Sequence, residues 1–234
     1  MKYKAVIFDL GDTLLTSFPS QRQIYASRLA YLGYKIDSET AVLVENAITN
    51  AANKQIAKET KGAPRMPDDV FERMLDLAAL SCVDMRDCTE QLLKTLHALP
   101  LPRQELTVVQ GAKSVLQVLI RAGYRLGVVS NHKKWMIDYL KKEELAGYFE
   151  TIVISEIVGI EKPDVRIMQI AMVNLGLNAV DCVYVGDHPF DVLCAKSAGM
   201  DCVWLSSADA VLPADIPYNE DYRISRLEDL LAWI

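Results

Sequence analysis

The most constraining feature of this chain is an uninterrupted apolar run, Ala5-Val6-Ile7-Phe8, that ends on a carboxylate, Asp9. A short continuous run of this kind reads as a strand buried on both faces. An acid at its tip is costly to bury unless a cation or metal meets it. In open α/β sheets the carboxyl ends of the strands are where ligands bind. The fold therefore has to bring a partner to Asp9 from elsewhere in the chain.

The rest of the sequence suggests where such partners come from. From about residue 105 onward, apolar strand-like runs alternate with helical patterns. Residues 125–130, 151–154, 182–186 and 202–205 read as strands, and 111–122, 132–145, 164–175 and 189–198 as helices. This alternation implies a parallel sheet covered by helices on both faces. Residues 16–19 read as a linker. From about 20 to 97 the texture is helical, with no β-rich run, and Gly33-Tyr34 and Lys61-Gly62-Ala63-Pro64 punctuate it. Leu99-Pro100-Leu101-Pro102 closes that stretch, because prolines so close together cannot continue a helix. The expected architecture is α/β, a Rossmann-like parallel sheet with an inserted all-helical domain. The core spans 1–15 and 106–234, and the insert spans 16–105.

Composition narrows the function. Hydrophobic residues make up 51% of the chain, enough for a packed core. The net charge of −6 argues against a nucleic-acid partner, which requires a basic footprint. Small anionic ligands remain compatible, because a metal and one lysine reverse the field locally. The five cysteines (Cys82, Cys88, Cys182, Cys194, Cys202) contain no C-x-x-C pair and read as reduced apolar fillers in a cytoplasmic protein. With three dispersed histidines, no zinc site is expected. The N-terminal apolar run is too short for a signal peptide, and no stretch approaches the ~18 apolar residues of a membrane span.

Four segments carry the chemistry. Asp9-Leu10-Gly11-Asp12-Thr13 follows the first strand. Ser130-Asn131 follows Leu126-Gly127-Val128-Val129. Lys162 lies in Glu161-Lys162-Pro163-Asp164, and Asp187 and Asp191 lie in Val185-Gly186-Asp187-His188-Pro189-Phe190-Asp191. A hydroxyl and free N–H groups between a strand and a helix form a phosphate cradle, although an isolated Ser-Asn would equally well cap a helix. A lysine held beside a proline is suited to neutralising charge on a phosphoryl group. In this order the segments resemble the four motifs of the haloacid dehalogenase-like (HAD) phosphohydrolase superfamily, over the whole chain except about 16–105.

The resemblance implies specific roles. Asp9 would be the nucleophile, with Ser130 and Lys162 as its catalytic partners. Ser130, Asn131, Lys162, Leu10 and Gly11 would hold the substrate phosphate. Asp9, the Gly11 carbonyl and Asp187 would bind Mg²⁺, with Asp191 orienting that shell or binding through water. Residues 16–105 would be a helical cap of the subfamily I type. The expected activity is a magnesium-dependent phosphomonoesterase acting on a small phosphorylated metabolite through an aspartyl phosphate. One departure matters. The family's phosphatases usually carry a second Asp where this chain has Gly11, and that Asp serves as general acid/base. Asp12 is one residue off and reads as a turn-stabilising side chain, and Thr13 as structural support. The absence of the acid keeps two alternatives in view, a haloacid dehalogenase and a non-catalytic phosphate-ligand binding protein. A phosphomutase fits less well, because retaining the phosphoryl group benefits from the missing acid/base. His132 and His188 read as cleft-lining histidines. Arg22, Lys54, Lys58, Lys61 and Arg65 are cap cations that either recognise substrate or keep helix faces soluble. Met66, Met74 and Met85 read as packing. The substrate's identity and the oligomeric state are open at this stage.

Overall fold

A computed structural model describes residues 2–60, 64, 66–83, 90–206, 208, 210–212 and 216–234. Lys61, Gly62, Ala63, Arg65, Met85 and Cys88 lie outside the described residues. The chain divides into two compact units, Met1–Thr16 with Leu106–Ile234, and Ser17–Glu105.

The first unit is built on a parallel six-stranded sheet. Its strands are β1 (Ala5–Phe8), β4 (Arg125–Ser130), β5 (Thr151–Ile154), β6 (Cys182–Gly186), β7 (Asp201–Leu205) and β8 (Tyr222–Ile224), in the order β5-β4-β1-β6-β7-β8. β1 lies in the interior of the sheet, with Phe8 level with Val128 on one side and with Val185 on the other. All four β1 residues are fully buried. Alternate side chains serve opposite faces, as strand geometry requires. Val6 and Phe8 pack with α5 (Ala112–Arg121), α6 (Met136–Lys142) and α10 (Leu230–Trp233), through Val115, Leu116, Met136 and Leu230. Ala5 and Ile7 pack with α8 (Arg166–Leu175) and α9 (Pro189–Ser197), through Ile167, Ala171 and Val192. The chain winds outward from β1 through β4 and β5 to one edge. It returns through β6, β7 and β8 to the other. The strand order therefore reverses at β1, which is where ligands bind in such sheets.

The second unit is made of α1 (Gln21–Tyr31), α2 (Ser38–Thr60), α3 (Asp68–Leu80) and α4 (Glu90–Ala98). Ser20 and Gln23 cap α1 reciprocally, each side chain accepting the other's backbone N–H. Ile24, Leu29, Val44, Ile48, Leu80 and Leu96 form its core. Within that core Arg28 is paired with Asp76 at 2.8 Å and donates to the Leu96 carbonyl at 2.5 Å. His97 Nδ1 lies 3.0 Å from the other Asp76 oxygen.

Several elements differ from the sequence expectation. Residues 16–19, expected as a linker, largely belong to β2 (Leu15–Phe18), which pairs with β3 (Glu105–Val108) in a two-stranded sheet. Both strands are short and half polar, so neither shows a period of its own. The expected helix at 132–145 begins only at Met136. Before that, Glu156 accepts the Lys134 N–H, and the Ser130 carbonyl accepts that of His132, so the chain leaves β4 through a turn. The four-residue α7 (Ser155–Val158), β8 and α10 were not anticipated. Among the described residues no helix is long and apolar enough to cross a membrane.

Candidate active site

Asp9 stands one residue beyond β1, almost wholly buried, and its N–H donates to the Val185 carbonyl at 2.9 Å. The next residues turn sharply. The Leu10 carbonyl accepts from both Leu14 N at 3.0 Å and Leu15 N at 2.8 Å. Asp12 adopts a left-handed conformation (φ 48°), and its carboxylate accepts from the Thr16 hydroxyl at 2.9 Å. That bond uses the Asp12 side chain to hold the turn. Thr13, fully buried, donates to Asp187 Oδ1 at 2.9 Å and so ties the turn to the far side of the site.

Lys162 is the hub. Its buried Nζ donates to Asp9 Oδ1 at 2.6 Å, to Asp191 Oδ1 at 2.6 Å and to the Tyr184 hydroxyl at 3.1 Å. An ammonium has three donors, and all three are engaged. The Lys162 peptide unit is held as well. Asn131 Oδ1 accepts the Lys162 N–H at 2.7 Å, and Asn131 Nδ2 donates to the Lys162 carbonyl at 2.9 Å. Ser130, at the buried end of β4, lies on the strand adjacent to β1.

The acids are arranged around this hub. Asp187 follows β6 directly. Asp191 is fully buried in the first turn of α9, where Oδ2 accepts the His188 N–H at 2.9 Å. Gly186 has to be glycine, because a Cβ there would run into the Asp191 carboxylate. Asp9, Asp187 and Asp191 each offer an oxygen within 4.8 Å of the others. Three carboxylates, Asp9 and Asp191 buried and Asp187 half-buried, stand against one ammonium, a formal excess of two negative charges. Burial pushes the Asp187 carboxyl well above the usual range, and the charges of Asp9 and Asp191 add to this. Burial raises Asp9 too, although Lys162 pulls it down. For Lys162 burial acts to lower the ammonium, but Asp191 and Asp9 outweigh it and hold the group charged. A divalent cation would cancel the excess charge, and an all-oxygen donor set suits a hard ion such as magnesium. Asp191 already has both oxygens engaged, so its contribution to such an ion would be indirect.

Burial lowers both His132 and His188 below the usual imidazole range. Each accepts a backbone N–H at Nδ1, His132 from Lys133 at 3.0 Å and His188 from Phe190 at 3.1 Å. In the neutral ring this leaves the proton on Nε2. In the second unit Arg22 is ion-paired with Glu45, while Lys54 and Lys58 are exposed.

Two residues here went unnoticed in the sequence. Tyr184 reads as one more apolar position of β6, yet its hydroxyl donates to the Val129 carbonyl at 2.8 Å and accepts from Lys162. Trp204 of β7 donates its indole N–H to the Asp187 carbonyl at 2.7 Å. A hint was available, because a Tyr or Trp inside a buried strand has to find a partner for its polar atom.

Residues 6–205 match the family model described as haloacid dehalogenase-like hydrolase. The chain belongs to that family. Among curated HAD relatives, the glyceraldehyde 3-phosphate phosphatase of Pyrococcus furiosus is 31% identical, over 98% of this chain and 92% of its own length. The phosphoglycolate phosphatase of Pseudomonas fluorescens is 26% identical, over 87% of this chain and 69% of its own. The HAD-hydrolase YfnB of Bacillus subtilis, solved bound to magnesium, shares the fold with a TM-score of 0.64 at 18% identity, covering 100% of this chain and 99% of that one. The chain is thus a HAD-type hydrolase with a Rossmann-like core.

Proposed function

We propose that this hydrolase is a magnesium-dependent phosphomonoesterase that acts on a small phosphorylated metabolite through an aspartyl phosphate on Asp9. The observation that carries this reading is the Lys162 ammonium bridging Asp9 and Asp191 beside Asp187, three carboxylates whose oxygens lie within 4.8 Å of one another. The named activities of the curated relatives, on glyceraldehyde 3-phosphate and phosphoglycolate, point to the same substrate class.

Asp9, the Gly11 carbonyl and Asp187 would hold the ion, with Asp191 behind them. Bound magnesium would neutralise phosphoryl charge and orient the ester. Lys162 holds Asp9 Oδ1, leaving Oδ2 on the side of the Gly11 turn. Asp9 attacks phosphorus in line, an acyl phosphate forms, and the ester oxygen departs with the bonding pair. The Ser130 hydroxyl and the N–H groups at Leu10 and Gly11 receive the equatorial phosphoryl oxygens, while the Lys162 ammonium, its donors held by Asp9, Asp191 and Tyr184, offsets their charge through space. Water then attacks the acyl phosphate, releasing phosphate and restoring the Asp9 carboxylate. Residues 16–105 serve as the cap that selects the substrate.

Dehalogenation is the competing reading, since a halide leaving group needs no general acid and Gly11 supplies none. It leaves the cluster of Asp9, Asp187 and Asp191 without a purpose. Phosphate release from p-nitrophenyl phosphate with and without Mg²⁺, set against halide release from a 2-haloacid, separates the two. Halide release alone would overturn the phosphatase reading.

A further inference from the structure

Asn131 sits next to Ser130 at the mouth of the sheet, where a side-chain amide is expected to touch the phosphoryl group directly. Its amide is engaged elsewhere. The oxygen accepts the Lys162 N–H at 2.7 Å, and the nitrogen donates to the Lys162 carbonyl at 2.9 Å. Two bonds to the peptide groups flanking a single Cα fix both the position and the rotation of that Cα, as a partner strand would.

Lys162 needs such a mount. It lies in the connection between α7 and α8, outside any strand. The residue after it is Pro163, which has no N–H to anchor that side of the loop. Yet its Nζ has to meet three separate acceptors at 2.6, 2.6 and 3.1 Å. A constellation of that kind tolerates displacements of only about 0.5 Å. At the other end of the side chain Tyr184, anchored on the Val129 carbonyl, supplies a fixed stop for the ammonium. Asn131 therefore grips the base of the lysine while Tyr184, Asp9 and Asp191 grip its tip.

We propose that Asn131 is a positioning residue, acting on the reaction through Lys162 and not by contact with the substrate. The proposal rests on the phosphatase reading above, because it presumes that Lys162 serves the phosphoryl group. A double-mutant cycle tests it, with Asn131→Ala, Lys162→Ala and the double variant compared with wild type. Turnover of p-nitrophenyl phosphate with Mg²⁺ is one readout. Binding of inorganic phosphate with Mg²⁺, measured by calorimetry, is the second, and it serves even where turnover falls below detection.

Removing a supporting partner of this kind typically costs about 10–100-fold, so Asn131→Ala should lower kcat by that factor in the wild-type background. In the Lys162→Ala background the same change should alter kcat or phosphate affinity by less than about twofold, since residues acting through one another are not additive. Equal losses in both backgrounds would overturn the proposal, whether they arose from direct phosphate contact or from a general loss of folded protein. A wild type inactive towards the ester would instead overturn the phosphatase reading, and this proposal with it.

Discussion

Lys162 Nζ donates to Asp9 Oδ1 at 2.6 Å, although 153 residues separate the two in the chain. The contact forms because Asp9 ends β1 while Lys162 descends from the connection that follows β5, two strands away in the sheet. Neither side chain could be buried alone, since a desolvated charge without a partner costs several kcal/mol. Together with Asp191 they make an electrostatic frame that engages Asp9 through Oδ1.

Asp9→Asn should abolish turnover while leaving the fold intact. The amide is close to isosteric and still offers an oxygen to Lys162, but it does not form an acyl phosphate. Turnover of p-nitrophenyl phosphate should fall below about a hundredth of wild type, as expected when a covalent nucleophile is removed. Circular dichroism should match wild type. Retained activity in a preparation free of contaminating phosphatase would rule out the covalent route.

Chelation should silence the enzyme. EDTA should remove the ion proposed to balance Asp9, Asp187 and Asp191, and Mg²⁺ should restore activity. Ca²⁺ should inhibit, because it accepts longer bonds and higher coordination than magnesium and would misplace Asp9. Initial rates after dialysis against EDTA, followed by titration with each ion, give the answer. Full activity in EDTA would point to the metal-free, dehalogenase-like chemistry.

Gly11 leaves the turn without a general acid, and Asp12 is held by Thr16. Esters whose leaving groups need little protonation, such as aryl phosphates, acyl phosphates and sugar 1-phosphates, should therefore outpace ordinary alkyl phosphates. The difference is bounded by the ~10²–10⁴-fold that acid–base assistance usually contributes. A Cβ at position 11 fits, since among the described residues it would approach nothing closer than Asp9 Oδ2 at 3.9 Å. Gly11→Asp should raise kcat/KM for an alkyl phosphate more than for a matched aryl phosphate. Equal preference in wild type with no differential gain in the variant would show that another group already donates the proton.

In the helical unit, Asp76→Ala should be strongly destabilising. It strands the buried Arg28 guanidinium, whose Nε already lacks a partner. Breaking one side of a buried pair costs about 3–5 kcal/mol, whereas replacing both sides with apolar residues is often nearly neutral. Urea denaturation of Asp76→Ala and of Arg28→Met with Asp76→Leu should show the single variant to be the weaker. The reverse order would mean that the pair contributes net stability.

Legibility in the sequence followed the range of the forces involved. The strands at 125–130, 151–154 and 182–186 match the observed β4, β5 and β6, because each is an apolar run whose burial is written into its own residues. β2, β3 and β8 carry no such signal, because short, half-polar strands are stable only against a partner supplied by the fold. α6 starts later than its sequence pattern suggests for a similar reason. The turn before it is held by Glu156, 22 residues away from the Lys134 N–H that it accepts.

At the site, residue types and their order on the chain already pointed to phosphoryl chemistry, and the glycine at position 11 was visible as a departure. Those properties are local, since a carboxylate after an apolar run is costly wherever that run is buried. What each polar atom meets is not local. That the Asn131 amide is spent on the Lys162 backbone, that Asp191 turns one oxygen to Lys162 and the other to the His188 N–H just before α9, and that Tyr184 and Trp204 reach into the site were decided only by the tertiary structure. Hydrogen bonds act over about 3 Å between groups that the chain keeps far apart, so which ones form depends on how strands and helices pack.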